Sequence, residues 1–225
     1  MIVGIHQPNY LPYLGFFDKI RRSDIFVILD DAQFSKGDFH NRNRIKTSTG
    51  AKWITIPIIE PFKPINETYI NYNVKNGKFV WNDSHLFLLK ENYQKAPFFD
   101  TIFPGLEEIY YTHKEKLSEF NILLIKFLCR FFNISTPIYF SSELNFKTNA
   151  TQRLVDICEH FRADVYLSGQ DGPKYMDMCL FEKKKIEVVI QNFVHPVYSQ
   201  LFDGFIPFLS ALDFLFNKGN TYINI

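Results

Sequence analysis

Two short apolar runs decide most of what this chain can fold into. Ile2–Ile5 is followed at once by His6, Gln7 and Pro8, and the run inside DIFVILDD, from Asp24 to Asp31, ends in two carboxylates. Each run is continuous rather than alternating, the pattern of a strand buried on both faces. Between them, residues 13–22 carry Leu14, Phe17 and Ile20 on one helical face and Lys19, Arg21 and Arg22 on the other. A strand, a helix and a strand within about 30 residues make a right-handed parallel crossover.

The far end of the chain repeats this alternation. TQRLVDICEHF (Thr151–Phe161) reads as a helix, ADVYLSG as a strand ending at Gly169, Lys174–Lys184 as a helix and IEVVIQNF as a last strand. PIYFSSEL reads as a further strand. HLFLLKENYQ, residues 99–112 and KEKLSEFNILLIKFLCRFF form a helical block at about 83–133. KWITIPI alternates between two faces, and Pro57 places it on a sheet edge. The expectation is one α/β domain over 1–225 with a mostly parallel sheet and a helical insertion or cap in mid-chain.

Composition narrows the function classes. Lys and Arg number 25 against 24 Asp and Glu, so no basic excess points to nucleic acid. The high Phe count fits an AT-rich coding bias. No apolar stretch approaches the roughly 18 residues a membrane span needs, and Met1 leads directly into the first strand with no signal-peptide core. Cys129, Cys158 and Cys179 are odd in number and lack any C-x-x-C spacing, which reads as buried free thiols in a reducing compartment. The expectation is a cytoplasmic protein that does not insert into membranes. The apolar stretch FIPFLSALDFLF can pack on the core or on a second copy of the chain in a homo-oligomer, and the core is the simpler expectation.

Ligands of open parallel sheets bind outside the carboxyl ends of the strands. His6, Gln7, Asn9 and Tyr10 follow the first strand, Asp30, Asp31 and Gln33 the second. Ser168, Gly169 and Asp171 follow ADVYL, and Gln191, Asn192, His195 and Tyr198 follow IEVVI. Four strand ends bearing polar or ionisable groups are the strongest signal in the chain. An imidazole near its free pKa of about 6.5 can exchange protons at neutral pH, so His6 or His195 is the candidate general base. Asp30 or Asp31 would orient it; Asp30 could instead hold an amine. A metal would need His6, His195 and one of these carboxylates to converge, and no tightly bound metal is expected.

HNRNRIK gathers His40, Asn41, Arg42, Asn43, Arg44 and Lys46 in a polar stretch. Arginine forks suit phosphate or carboxylate, so Arg42, Arg44 and Lys46 are candidate phosphate ligands. Asn9, Gln33 and Asn43 are candidates for positioning a sugar. A solvated basic loop is the plainer alternative. In SGQDG, Gly169 and Gly172 would let backbone amides approach a ligand, although the turn matches no P-loop or dinucleotide fingerprint.

Taken in order, IHQPNYLPYLGFFDKI, LDDAQFSK, NRNRIK, KAPFF, YLSG, HPVYSQ and LSALDFLFNKG resemble the WbqC-like family from about residue 3 to 219. The turn SGQDG is poorer in glycine than the family's form. The resemblance implies a role in bacterial surface polysaccharide synthesis, in O-antigen or capsule loci. Joined to the residues above, it gives an acyl or aminoacyl transferase acting on a nucleotide-linked amino sugar, with an acyl donor such as acyl-coenzyme A. Two alternatives stand beside it: a nucleotidyltransferase-like or adenylate-forming enzyme, and a non-catalytic sugar-nucleotide-binding protein. By fold-level analogy the sheet is Rossmann-like, of the nucleotidyltransferase-like kind, although Leu14, Gly15 and Phe16 stand where such folds carry a second histidine.

Overall fold

Strand β1 (Ile2–His6) lies at the centre of the molecule because its side chains are buried on both faces. The computed structural model describes residues 1–220, so the expected domain end at 225 lies outside the described residues. After β1 come α1 (Leu14–Arg21), β2 (Ile25–Ile28), the hairpin strands β3 (Arg42–Thr47) and β4 (Gly50–Thr55), and four two-residue strands. These are β5 (Ile58–Ile59), β6 (Tyr69–Ile70), β7 (Lys75–Asn76) and β8 (Phe79–Val80). Helices α2 (Trp81–Tyr93), α3 (Phe99–Tyr110) and α4 (Leu117–Phe131) follow, then β9 (Ile138–Phe140), α5 (Ser141–Leu144) and α6 (Ala150–His160). The chain continues through β10 (Val165–Ser168), α7 (Met178–Lys183), β11 (Glu187–Ile190) and α8 (Ala211–Lys218).

Five strands form one parallel sheet in the order β11-β10-β1-β2-β9. The chain starts at the middle strand, moves outward through β2 and β9, then returns to build β10 and β11 on the other side. Alternation along the strands feeds two cores. Val3, Ile5 and Val27 pack with Val155, Ile157, Cys158 and Phe181 of α6 and α7. Phe26 and Ile28 pack on the other side with Phe16, Phe17 and Ile20 of α1 and with the helices α2–α4 and α8. Helix α8 is buried through Ala211, Leu212, Phe214, Leu215 and Phe216, so FIPFLSALDFLF contributes to the core of its own chain. Cys129 and Cys158 are buried free thiols, pushed up to about 12 by burial, while Cys179 is exposed.

Four readings need correction. NRNRIK is not a loop: residues 42–47 form β3, paired antiparallel with β4, and the hairpin stands apart from the parallel sheet. Strand β4 ends at Thr55, so Pro57 marks its exit rather than a main-sheet edge, although the two faces are real, with Ile54 and Ile56 buried and Trp53 exposed. Helix α7 starts at Met178 rather than at 174, because the Asp177 carboxylate accepts the Cys179 amide at 3.1 Å and caps it there. Helix α1 has no solvated face: Leu14 to Ile20 are all buried, Lys19 included.

Gly4 sits on the α1 face of β1, where a β-carbon would lie 2.2 Å from Ser23 Oγ and 3.0 Å from the Phe26 ring. Gly4→Ala should therefore cost about 1–3 kcal/mol, lowering Tm by roughly 2–10 °C at this chain length. Adding Ser23→Ala should restore part of that loss in a thermal melt; no recovery would place the strain elsewhere.

Candidate functional site

The carboxyl edge of the sheet opens at one place. Strand β1 pairs with β2 as far as His6, but with β10 only as far as Gly4. The two strands part there, and at that point the order of connections also reverses. Open α/β sheets form their ligand crevices at such switch points. A cleft of about 1040 Å³ occupies it. Ile5, His6, Lys19, Tyr166 and Gln191 line its inner end. Gln7, Asn9, His40, Asn43 and Arg44 line one side, and Asn149–Thr151, Arg153 and Leu154 at the start of α6 with Gly169–Gly172 line the other. Phe39, Phe208 and Tyr175 are partly or largely exposed at its rim.

The His-Gln-Pro-Asn exit from β1 is held from outside. Asn121 of α4 donates its side-chain amide to the Pro8 carbonyl at 2.8 Å and the His40 carbonyl at 2.7 Å. Asn43 donates to the Leu11 carbonyl at 2.6 Å and the Tyr10 carbonyl at 3.2 Å. These bonds fix the loop so that its remaining polar groups face the cleft. Among the described residues, the side chains of Asn9 and Gln170 take no hydrogen-bond partner within the protein.

The tautomers follow from the partners. The Gln7 carbonyl lies 2.9 Å from His6 Nδ1, so Nδ1 carries the proton and Nε2 keeps a lone pair. The Ser35 amide donates to His40 Nδ1 at 3.2 Å, so His40 Nε2 donates to the Gln7 side-chain oxygen at 3.1 Å. Both rings are neutral. Burial first, and then the nearby Lys19 charge, hold the His6 pKa down to about 3, and burial lowers that of His40. The expectation of a histidine poised near 6.5 is therefore corrected: His6 accepts a hydrogen bond but holds a proton weakly.

Lys19 is the chief residue that sequence reasoning left outside the site. It is 3% exposed, its Nζ donates to the Ile5 carbonyl at 2.7 Å, and burial lowers its pKa to about 7. Arg153 is the second. It forms an ion pair with Asp31 at 2.9 Å and donates to the Phe146 carbonyl, while its Nε is buried without a partner. An i, i+3 pattern assigns Lys19 to a wet face, and only the folded chain shows that both faces of α1 are covered.

The chain matches the model of the WbqC-like protein family over residues 7–225. It belongs to that family. It is similar to the uncharacterized protein Rv1507c of Mycobacterium tuberculosis, 36% identical over 222 residues that cover 96% of this chain and 94% of that protein. No solved structure matches it significantly. Among the described residues, no helix of this WbqC-like protein is long and apolar enough to cross a membrane.

The cleft gathers His6, Gln7, Asn9, Asp31, Gln33, Asn43, Arg44, Gly169 and Asp171 from the candidate residues. The others lie elsewhere. Both carboxylate oxygens of Asp30 accept from Ser141 and Ser142 at the start of α5. His195 packs on Tyr198 and Phe208 in the 191–210 segment, and Tyr198 donates to Asp213 at 2.7 Å. Tyr10 bonds His85 and Tyr110 in the core. Asn41 donates to the Ile56 carbonyl, Ser168 to the Gly169 carbonyl. Arg42 stacks on Trp53 at 4.4 Å and donates to the Gly37 and Asp38 carbonyls. Lys46 is buried, with its Nζ on the Phe202 and Gly204 carbonyls. Within the cleft, Gln33 already donates to the Phe62 carbonyl and Asp171 pairs with Lys174 at 2.6 Å. Among the described residues, no three His, Cys, Asp or Glu side chains group to hold a metal.

His6 and the core residue His85 are both held down to about 3 chiefly by burial. The unfolded chain therefore binds more protons than the native one between about pH 3 and 6.5, and stability falls as pH drops through that window. Urea midpoints at pH 7 and pH 4.5 should differ less in His6→Asn than in the wild type. Equal differences would show that His6 is not neutral in the native state.

Proposed function

We propose that this protein transfers an acyl or aminoacyl group to a nucleotide-linked amino sugar in bacterial surface polysaccharide synthesis, with the reaction in the β1/β10 cleft. One observation carries the reading: a neutral histidine presents an open Nε2 at the strand switch point, in a cleft that also holds Lys19 and Arg153. The volume suits a sugar nucleotide rather than a single small metabolite.

In this reading the acceptor amine donates a hydrogen bond to His6 Nε2, which aims its lone pair at the acyl carbon. Nitrogen bonds to that carbon, the bond to the sulfur of an acyl-coenzyme A donor breaks, and the amine proton passes through His6 to the departing thiolate. His6 is a weak base in the folded chain, so the proton must move in concert with cleavage of the carbon–sulfur bond rather than rest on an imidazolium. Gln7 and Asn9 would position the sugar. The helical block α2–α4 would act as a cap that holds the exit loop through Asn121.

A second reading, nucleotidyl transfer, is favoured by the sheet order alone. Counted along the main sheet the strands run 3-2-1-4-5, the order of Rossmann-like nucleotide-binding folds. It requires pyrophosphate release from a nucleoside triphosphate.

The test is product analysis by mass spectrometry with dTDP- and UDP-linked amino sugars and acyl-coenzyme A. N-acylated product should form, and His6→Gln should lower kcat by about 10²-fold with Tm retained. Pyrophosphate release without acylation would select the second reading, and an unchanged rate in His6→Gln would remove His6 from the chemistry.

A further inference from the structure

Where β1 and β10 part, one backbone acceptor is left over. The His6 carbonyl accepts from Leu29 on the β2 side, so the preceding Ile5 carbonyl points the other way, toward β10. Pairing with β10 has already ended at Gly4. The Ile5 carbonyl takes its hydrogen bond from Lys19 Nζ instead. The ammonium therefore sits in the fork of the sheet, 5.8 Å from the centre of the Tyr166 ring, at the inner end of the cleft.

A buried cation needs a counter-charge or it loses its proton. Among the described residues, no carboxylate lies within ion-pair distance of Lys19. Its neighbours His6 on β1 and Tyr166 on β10 are neutral at pH 7. Asp18, next in sequence, is turned to Gln191 at 2.5 Å and Arg22 at 3.6 Å. Across the cleft, the Asp31 charge is matched by Arg153 and that of Asp171 by Lys174, His40 is neutral, and Asp38 and Arg44 line the side opposite α6. One main-chain carbonyl uses one of three ammonium donors. Among the described residues the other two have no acceptor, and Lys19 lines the cleft.

We propose that Lys19 is the anion anchor of the cleft and that its missing counter-charge is a diphosphate group of the ligand, bound with uptake of a proton. This deepens the sugar-nucleotide reading and shares its cleft. It moves phosphate recognition from Arg42, Arg44 and Lys46, each of which already donates to a main-chain carbonyl, to the fork of the sheet. Burial holds the Lys19 pKa down to about 7. A bound diphosphate favours the charged form and raises its pKa.

The test is calorimetry with the dimethyl diester of pyrophosphate, whose charges do not titrate near neutrality, in two buffers of different ionisation enthalpy. With a free pKa of about 7, binding at pH 8 should take up most of one proton, and binding at pH 6 only a small fraction of one. His6 and His40, whose pKa values burial lowers, are neutral before binding at pH 8. Lys19→Met should bind at least about tenfold more weakly, and Lys19→Arg should bind without proton uptake. Binding by the wild type with no proton uptake at pH 8 would overturn the proposal, as would no binding at all or full affinity in Lys19→Met. The wild-type proton count needs no variant to fold. It also stands apart from the transferase reading: proton-linked diester binding with no acyl product would keep the anchor and reject the reaction.

Discussion

The fork between β1 and β10 is the constraint on which the site depends. A parallel sheet satisfies its backbone by pairing, and wherever two neighbours part, some carbonyl or amide must find another partner. Here the carbonyl is that of Ile5 and the partner is the ammonium of Lys19. One hydrogen bond thus completes the central strand and places a positive group at the bottom of the cleft. The same strand is crowded by Ser23 and by Phe26 of β2, which leave Gly4 no room for a side chain.

Most of the polar residues around this fork hold the fold together. Asn43 and Asn121 tie the exit loop to β3 and α4, Asp30 ties the end of β2 to α5, and Lys46 ties β3 to the irregular segment after β11. Asp213 gathers Tyr93, Tyr198 and Gln200. Long irregular connections carry backbone groups that no ladder satisfies, so side chains with several donors or acceptors are spent on them. Among the described residues, what remains uncommitted around the cleft is a smaller set that includes His6 Nε2, the side-chain nitrogen of Gln7, the side chains of Asn9 and Gln170, and the Nε groups of Arg44 and Arg153.

The sheet and most helices were legible because burial on both faces leaves continuous apolar runs, and the runs at Ile2, Ile25, Val165 and Glu187 became the strands expected. The location of the cleft was legible too, since parallel strands send their ends to one edge. Which side chains stay free was not. Asp30 and Asp31 are adjacent in sequence, yet one is consumed by α5 and the other pairs with Arg153 across the cleft. Lys19 was misread because a helical wheel cannot show that a second layer covers the polar side of α1. Residues 42–47 were misread because a strand with Arg42, Arg44 and Lys46 looks like a loop until Trp53 and the Gly204 carbonyl are seen against them.

The most direct measurement is a crystal structure of the protein soaked with a dTDP-linked amino sugar. The account predicts electron density between the end of β1 and the start of α6, with the diphosphate against Lys19 and the sugar near His6 Nε2. Density seated on the Arg42–Trp53 face or along residues 193–208, with the β1/β10 cleft filled only by water, would contradict it.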